Sequence, residues 1–292
     1  MLKSSLLTLL LASIGFAHAG TNIDMTIAPL GTPKFDFDRG GKGRLESLQA
    51  SFGINHDLNQ QHNVGLNIQL ARESWEFEQS PWKVAEPWKQ LERVTFSVPY
   101  RYRTDSGWTF AVAADASNSK EKNAEAKESW IYGMNAYVAK TVSPTLLFGV
   151  GAGVYRQLEK TTGFPFLIID WKITPNLTLA NPFTVGPVGP AGLELSWAFT
   201  PQFDVGVGGA MRQFQYRLAK SNPLAPDGVL EEQYAPVFLH AAYKFHPSWR
   251  VDAYTGVAAG GKFTILDSNG NELSSEKAKK MPFFGFALNG RF

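Results

Sequence analysis

The ionisable side chains of this chain recur at every second position of amphipathic stretches, and that spacing decides what chemistry they can do. Arg93, Arg101 and Arg103, Asp115, Asp170 and Lys172, Glu194, Asp204 and Arg212, His240 and Lys244, Arg250 and Asp252, and Arg291 all stand on the polar side of such stretches. Residues two apart on an extended strand share one face. These groups therefore line a common surface, suited to passing ions or small polar solutes. Arg and Lys slightly outnumber Asp and Glu, which favours anionic or zwitterionic solutes. The same groups could instead pair with one another and tie a wall together.

Other chemistries find less support. Beyond residue 19 the histidines are His56, His62, His240 and His246, and only His240 falls within a predicted strand. No Gly-x-Ser-x-Gly motif accompanies it, so a membrane-embedded lipid-modifying enzyme is the weakest of the candidate functions, and no catalytic residue is assigned. Cysteine is absent, which removes disulfides, thiolate metal sites and a lipid anchor through an N-terminal Cys. The oxygen-rich run Asp267-Ser268-Asn269-Gly270-Asn271-Glu272 departs from an EF-hand in length and in its terminal Glu, and reads as a hairpin tip centred on Asn269-Gly270. Gly149, Gly151 and Gly153, with Gly206 and Gly208, leave room on a wall or permit curvature, and no helix follows them to hold a phosphate. Neither a metal nor a cofactor is expected. A net charge of +2 spread along 292 residues shows no basic stripe for nucleic acid.

The elements that would position these groups are strands with one apolar side. Leu48, Ala50, Phe52 and Ile54 alternate with polar neighbours; so do Val64 to Leu70, Val94 to Tyr102, Trp108 to Ala114, Trp130 to Val138 and Leu146 to Val154. The pattern continues through Leu167 to Ile173, Leu177 and Leu179, Leu193 to Phe199, Phe203 to Val207, Val237 to Phe245 and Trp249 to Ala253. With a first strand from Ile23 to Ala28 and a last one at the C-terminus, this predicts an all-β fold. Specifically, it predicts a transmembrane, antiparallel, up-and-down β-barrel of about 14 strands, or about 12 if the weakest fail.

Connection lengths and aromatic placement agree with that architecture. Short links at Asp57 to Gln60, Asp105 to Gly107, Ser143-Pro144, Pro175-Asn176, Pro201-Gln202 and Pro247-Ser248 carry turn residues. Between them come long, polar connections: Ser74 to Gln90, Ser117 to Glu128, Leu218 to Glu232 and Lys262 to Met281. One aromatic girdle is expected beside the short turns, at Tyr100, Tyr102, Trp108, Trp171, Trp197, Phe199, Phe203, Tyr243, Phe245, Trp249 and Phe292. A second is expected at Trp130, Tyr132, Tyr155, Phe214, Tyr216 and Tyr234.

The two ends of the chain fit export to an outer membrane. Met1 to Ala19 carries Lys3, an apolar stretch from Leu6 to Phe16 and Ala17-His18-Ala19, which predicts a cleavable signal peptide at residues 1–19. No apolar run beyond it is long enough for a helical span, and a mean hydropathy of −0.17 suits alternating strands. At the other end, Phe284, Phe286, Leu288, Gly290 and Phe292 form an apolar face ending on an aromatic. That strand resembles the C-terminal assembly signal of Gram-negative outer-membrane barrels, which the barrel-assembly machinery reads. A third stretch is Phe164-Pro165-Phe166 through Asp170-Trp171-Lys172-Ile173-Thr174-Pro175-Asn176, then Asn181-Pro182 and Gly189-Pro190-Ala191-Gly192. It is similar to a family of bacterial outer-membrane β-barrel proteins of unknown function, a resemblance that implies the barrel and the compartment but no substrate.

The expected organisation is a signal peptide (1–19), an N-terminal tail or first strand (20–43) that could enter the lumen, and a barrel (44–292). The expected partners are outer-membrane lipid and, during biogenesis, the assembly machinery and periplasmic chaperones, with no nucleic acid. The leading function is a porin-like channel for small polar solutes, anionic ones among them. The alternative is a closed structural or surface-interaction barrel whose loops bind, above all Ser74 to Gln90 with Trp75, Trp82 and Trp88.

Overall fold

The computed structural model describes residues 20–181 and 191–292; the predicted signal peptide and the Pro182 to Pro190 part of the family-like stretch lie outside them. The described residues form a closed antiparallel barrel of 14 strands. In chain order these are β1 (Thr21–Gly31), β2 (Lys42–Asp57), β3 (His62–Glu78), β4 (Gln90–Arg103), β5 (Trp108–Glu121), β6 (Trp130–Ser143) and β7 (Leu146–Arg156). They continue with β8 (Thr161–Lys172), β9 (Leu177–Ala180), β10 (Gly192–Ala198), β11 (Phe203–Ala210, prolonged by Arg212–Arg217), β12 (Val229–His246), β13 (Trp249–Leu266) and β14 (Lys280–Arg291). Each strand pairs with the next, and β14 pairs with β1 to close the ring. Closure leaves no edge strand, the condition for carrying a sheet through hydrocarbon.

Alternation sets which face looks out. Leu48, Leu66, Leu70, Phe96, Val98, Phe110, Met134, Phe148, Val150, Leu195, Leu239, Phe284 and Phe286 are exposed on one side, while Ser47, Asp115, Glu194, His240 and Asp252 alternate with them on the other. An isolated chain in water would hide such a belt; a barrel in lipid displays it.

Four of the six short turns share one device. In Ser143-Pro144-Thr145, Thr174-Pro175-Asn176, Thr200-Pro201-Gln202 and His246-Pro247-Ser248, the side chain before the proline accepts a hydrogen bond from the backbone N–H after it, at 3.1 to 3.3 Å. Proline pre-sets the bend and the side-chain acceptor closes it. Beside the short turns Tyr100, Trp108, Trp171, Trp197, Phe199, Phe203, Tyr243 and Phe245 are exposed, a ring of aromatics where one was expected. Trp249 and Phe292 join it edge to face at 5.5 Å.

The opposite end departs from the simple pattern. Met211 interrupts β11, and the pairing of β11 with β10 ends at Gly192↔Ala210. Among the described residues, Arg212 to Arg217 pair with the Val229 to Tyr234 part of β12 and touch β5 through Arg217↔Lys120. At the same level the β12–β13 register shifts between Gln233 and Ala235, and Gly260 adopts φ +64°, a conformation other residues resist. Above that kink, Lys262 to Leu266 pair with a short strand, Glu272–Lys277. The predicted loop Lys262 to Met281 is therefore mostly strand, and its tip turns at Asp267 to Asn271 with Gly270 at φ +85°.

Candidate functional site in the barrel lumen

The four segments above the kink form a sheet folded into the barrel. Val229, Leu230, Phe263 and Ile265 are almost wholly buried, although a wall strand at this level would show one face to its surroundings. Hydrogen bonds between strands that are not wall neighbours fix the fold-in. Ser119 Oγ on β5 donates to the Gln215 carbonyl at 2.5 Å, and Tyr216 Oη donates to Glu73 Oε1 on β3 at 3.0 Å. Arg93 Nη1 on β4 donates to Tyr216 Oη at 3.3 Å and lies 3.8 Å over the Phe214 ring. Arg217 pairs with Glu159 at 2.6 Å, and Lys160 with Glu231 at 2.6 Å, tying the sheet to the β7–β8 turn.

Against this sheet packs an aromatic plug. Trp75 and Phe77 come from the inner face of β3, Trp82 and Trp88 from the connection that follows, Phe35 and Phe37 from the link between β1 and β2, and Phe263 from the sheet. Ring centroids lie at 5.0 Å for Phe77–Trp88 and Trp82–Trp88, and 5.4 Å for Trp75–Phe263. The expectation that Trp75, Trp82 and Trp88 form a surface-binding loop is thus corrected: Trp75 and Trp88 are buried and Trp82 half-buried, donating from Nε1 to Ser274 Oγ at 3.0 Å. The second girdle is corrected too. Tyr132 is exposed with Trp130 stacked on it, but Tyr216 is buried, Phe214 and Tyr234 pack against the interior core, and Tyr155 turns inward over Gly133 to reach Asp115.

The remaining predicted groups divide by depth. Asp115 accepts from Tyr155 Oη at 2.6 Å and Asn135 Nδ2 at 3.0 Å. At mid-height His240 sits between two carboxylates, Nδ1 at 2.6 Å from Glu194 and Nε2 at 2.7 Å from Asp252, with the Tyr254 ring stacked 4.5 Å away. Arg250 binds the same Asp252 at 2.6 Å and approaches Asp204 at 3.7 Å, and Asn289 Nδ2 donates to Asp252 Oδ2 at 2.6 Å. None of these partners of His240 is a hydroxyl poised as a nucleophile. Arg212 lies beside Phe214, 4.8 Å over its ring. Near the short-turn end Arg101 is half-buried, while Arg103, Asp170, Lys172, Lys244 and Arg291 are exposed, Arg291 standing 3.7 Å from Asp24.

Sequence reasoning missed Glu73, Gln215 and Glu232, the last nearly fully buried, and placed Tyr216 in a girdle instead of the lumen. A signal existed for Glu73: with Trp75 and Phe77 it occupies the odd, inward positions of β3 that also carry Asn67 and Gln69. Aromatics on a lumenal face announce a filled lumen.

Above the plug the connections brace each other. Asn222 Nδ2 donates to the Pro87 carbonyl at 2.8 Å and to Glu121 Oε2 at 3.1 Å. Lys220 pairs with Glu125 at 2.7 Å; hydrogen bonds from Lys220 and Lys127 lower the Glu125 pKa, and Glu125 in turn raises that of Lys220. In the Asp267 tip, bonds from Asn271 lower the carboxyl pKa, so its oxygens are spent on the turn. Among the described residues no cluster of His or carboxylate groups has metal-site geometry.

A domain family described as Domain of unknown function (DUF6268) matches residues 44–291. No curated protein matches the sequence. Among solved structures, the COG4313 outer membrane channel from Pseudomonas putida F1 is similar at 8% identity and a TM-score of 0.50, over 94% of this chain and 95% of that one. The Pseudomonas putida toluene transporter TodX aligns at 9% identity and a TM-score of 0.43 (96% and 92%), and the NanC porin at 9% and 0.41 (92% and 98%). At such identities the likeness is one of fold, that of outer-membrane barrels.

Proposed function

The chain belongs to the DUF6268 family, and from that premise we propose that it is a gated porin-like channel of the outer membrane for small polar solutes, anionic ones among them. The observation that carries this reading is the division of the lumen. Exposed charges, Arg103, Asp170, Lys172, Lys244 and Arg291, lie toward the short turns, the periplasmic end in this reading. The other end is filled by the folded-in sheet and the aromatic plug. Passage then requires the sheet to move, and the polar contacts of Tyr216, Ser119 and Arg93 are what hold it. A charged lumen facing water carries little desolvation cost and can select by sign.

The tightness of the plug equally supports a barrel that stays closed and acts through its outer surface. Single-channel recording of the refolded chain in a planar bilayer, with reversal potential measured under a salt gradient, separates the two. Discrete openings with anion preference are expected. Silence from inserted barrels, persisting after Tyr216→Phe releases the sheet, would leave the closed barrel. In either case we propose that Phe284, Phe286, Leu288, Gly290 and Phe292 serve as the assembly signal and that residues 1–19 direct export.

A further inference from the structure

The barrel closes where β1 meets β14, and this seam is incomplete. The ladder runs from Asp24↔Arg291 to Ile27↔Leu288, lapses beside Pro29, and resumes for Leu30↔Gly285 and Gly31↔Phe284. Proline has no N–H to give a ladder. Beyond Gly31 the chain keeps to β2, with Thr32 N donating to the Leu45 carbonyl at 2.9 Å. It meets the β14 side again from Asp36 onward, through Phe37↔Ala278, Lys279 N to the Asp36 carbonyl at 3.0 Å, Asp38 N to the Lys277 carbonyl at 2.9 Å and Arg39 with Glu276. Between Gly31↔Phe284 and Phe37↔Ala278 the register lapses, and Pro33 and Pro282 stand in the two segments that border this window.

Cavities lie on both sides of it. On the outer wall is a groove of about 470 Å³, lined by Pro29, Leu48, Phe284 and Phe286, with Arg44 and Arg72 at its rim; its size falls in the range of small-ligand sites. Inside lies a chamber of about 40 Å³ bordered by Trp75, Phe263, Met281, Phe283 and Glu73. Leu30, Thr32 and Ser47 line both. The Thr32 hydroxyl is engaged with the Leu45 backbone, accepting from its N–H at 2.8 Å and donating to its carbonyl at 3.3 Å. Ser47 is different. It is 7% exposed, and its Oγ has no hydrogen-bond partner, a state that buried hydroxyls rarely keep.

We propose that the β1–β14 seam binds a neutral single-chain amphiphile drawn from the lipid phase, of the class of medium-chain primary alcohols. Its chain lies along Leu48, Phe284 and Phe286, and its hydroxyl reaches Ser47 Oγ. A neutral head is favoured because the rim arginines are engaged: Arg44 is paired with Glu46 at 2.6 Å and Glu76 at 3.6 Å, and Arg72 donates to Gln90 Oε1 at 2.6 Å. The inference rests on the wall alone and is independent of the channel reading.

The test uses the refolded full chain in phospholipid vesicles and decanol carrying a diazirine on its terminal carbon. After illumination, adducts are mapped by peptide mass spectrometry, and heat-modifiable gel mobility confirms that each variant is folded. Adducts are expected to concentrate on residues 28–32, 44–48 and 283–286 and to fall when unlabelled decanol competes. Ser47→Ala should weaken seam labelling by about fivefold, the loss of one neutral hydrogen bond, and Ser47→Phe, which fills the space, should remove it. Adducts spread evenly over the apolar belt at Leu66, Phe148 and Leu195 would overturn the proposal. So would seam labelling indifferent to competition and to Ser47→Ala, a substitution small enough to leave the barrel folded if Ser47→Phe does not.

Discussion

Tyr216 Oη donates to Glu73 Oε1 at 3.0 Å, joining a sheet that belongs to β11–β13 to the far wall at β3. Both residues are buried, and Arg93 bonds the same hydroxyl. This contact makes the folded-in sheet part of the closed barrel instead of a loose flap.

Removing that hydroxyl should therefore loosen the closure before it harms the wall. Tyr216→Phe is expected to lower stability by about 1.5–3 kcal/mol, the range for a bond to a charged group, and to raise open probability in single-channel records. A folded, inserted variant with unchanged opening would mean that the sheet is held elsewhere.

The aromatic plug should carry more of the stability than any single polar contact. Trp88→Ala empties the centre of a cluster formed with Trp75, Phe77, Trp82 and Phe263, at a cost of about 3–5 kcal/mol. Guanidinium unfolding in vesicles measures it, and conductance from the same preparation should increase.

Selectivity should follow which cations are committed. Arg250 is tied to Asp252 and Asp204, whereas Arg103 makes none of the ion pairs found among the described residues. Arg103→Ala is expected to reduce anion preference in reversal-potential measurements more than Arg250→Ala. The latter should instead lower the unfolding midpoint, since it strips a partner from a buried carboxylate, a change that can cost about 3–5 kcal/mol.

The rim clamp between Lys220 and Glu125 should depend on pH at both extremes. Glu125 has its pKa lowered on folding, so its contribution is complete above the ordinary carboxyl value of 4.5 and fades as pH falls through the folded value; Lys220 has its pKa raised, so its contribution is complete below 10.5 and fades above the folded value. Hydrogen exchange in residues 122–129 and 218–228 should be slow relative to Lys220→Met near neutral pH, with the difference vanishing in acid. An equal difference at pH 3 would show that the clamp adds nothing to closure.

Two kinds of information are separable in this chain. Local patterning determined the wall: alternation in Leu48 to Ile54 or Val94 to Tyr102 must put one side to lipid, and proline after Ser, Thr or His dictates most of the short turns, because period and turn chemistry act within a few residues. The same patterning marked Asp115, Glu194, His240 and Asp252 as inward. It could not say what they meet. Whether Arg93 faces water or Tyr216, whether Trp88 binds a partner or fills the lumen, and whether Ser47 keeps a partner are decided by how β11–β13 kink at Met211 and Gly260 and cross to β3–β5. Those contacts join residues far apart in the chain, 96 positions for Ser119 and Gln215 and 143 for Glu73 and Tyr216, and only barrel closure brings them within reach.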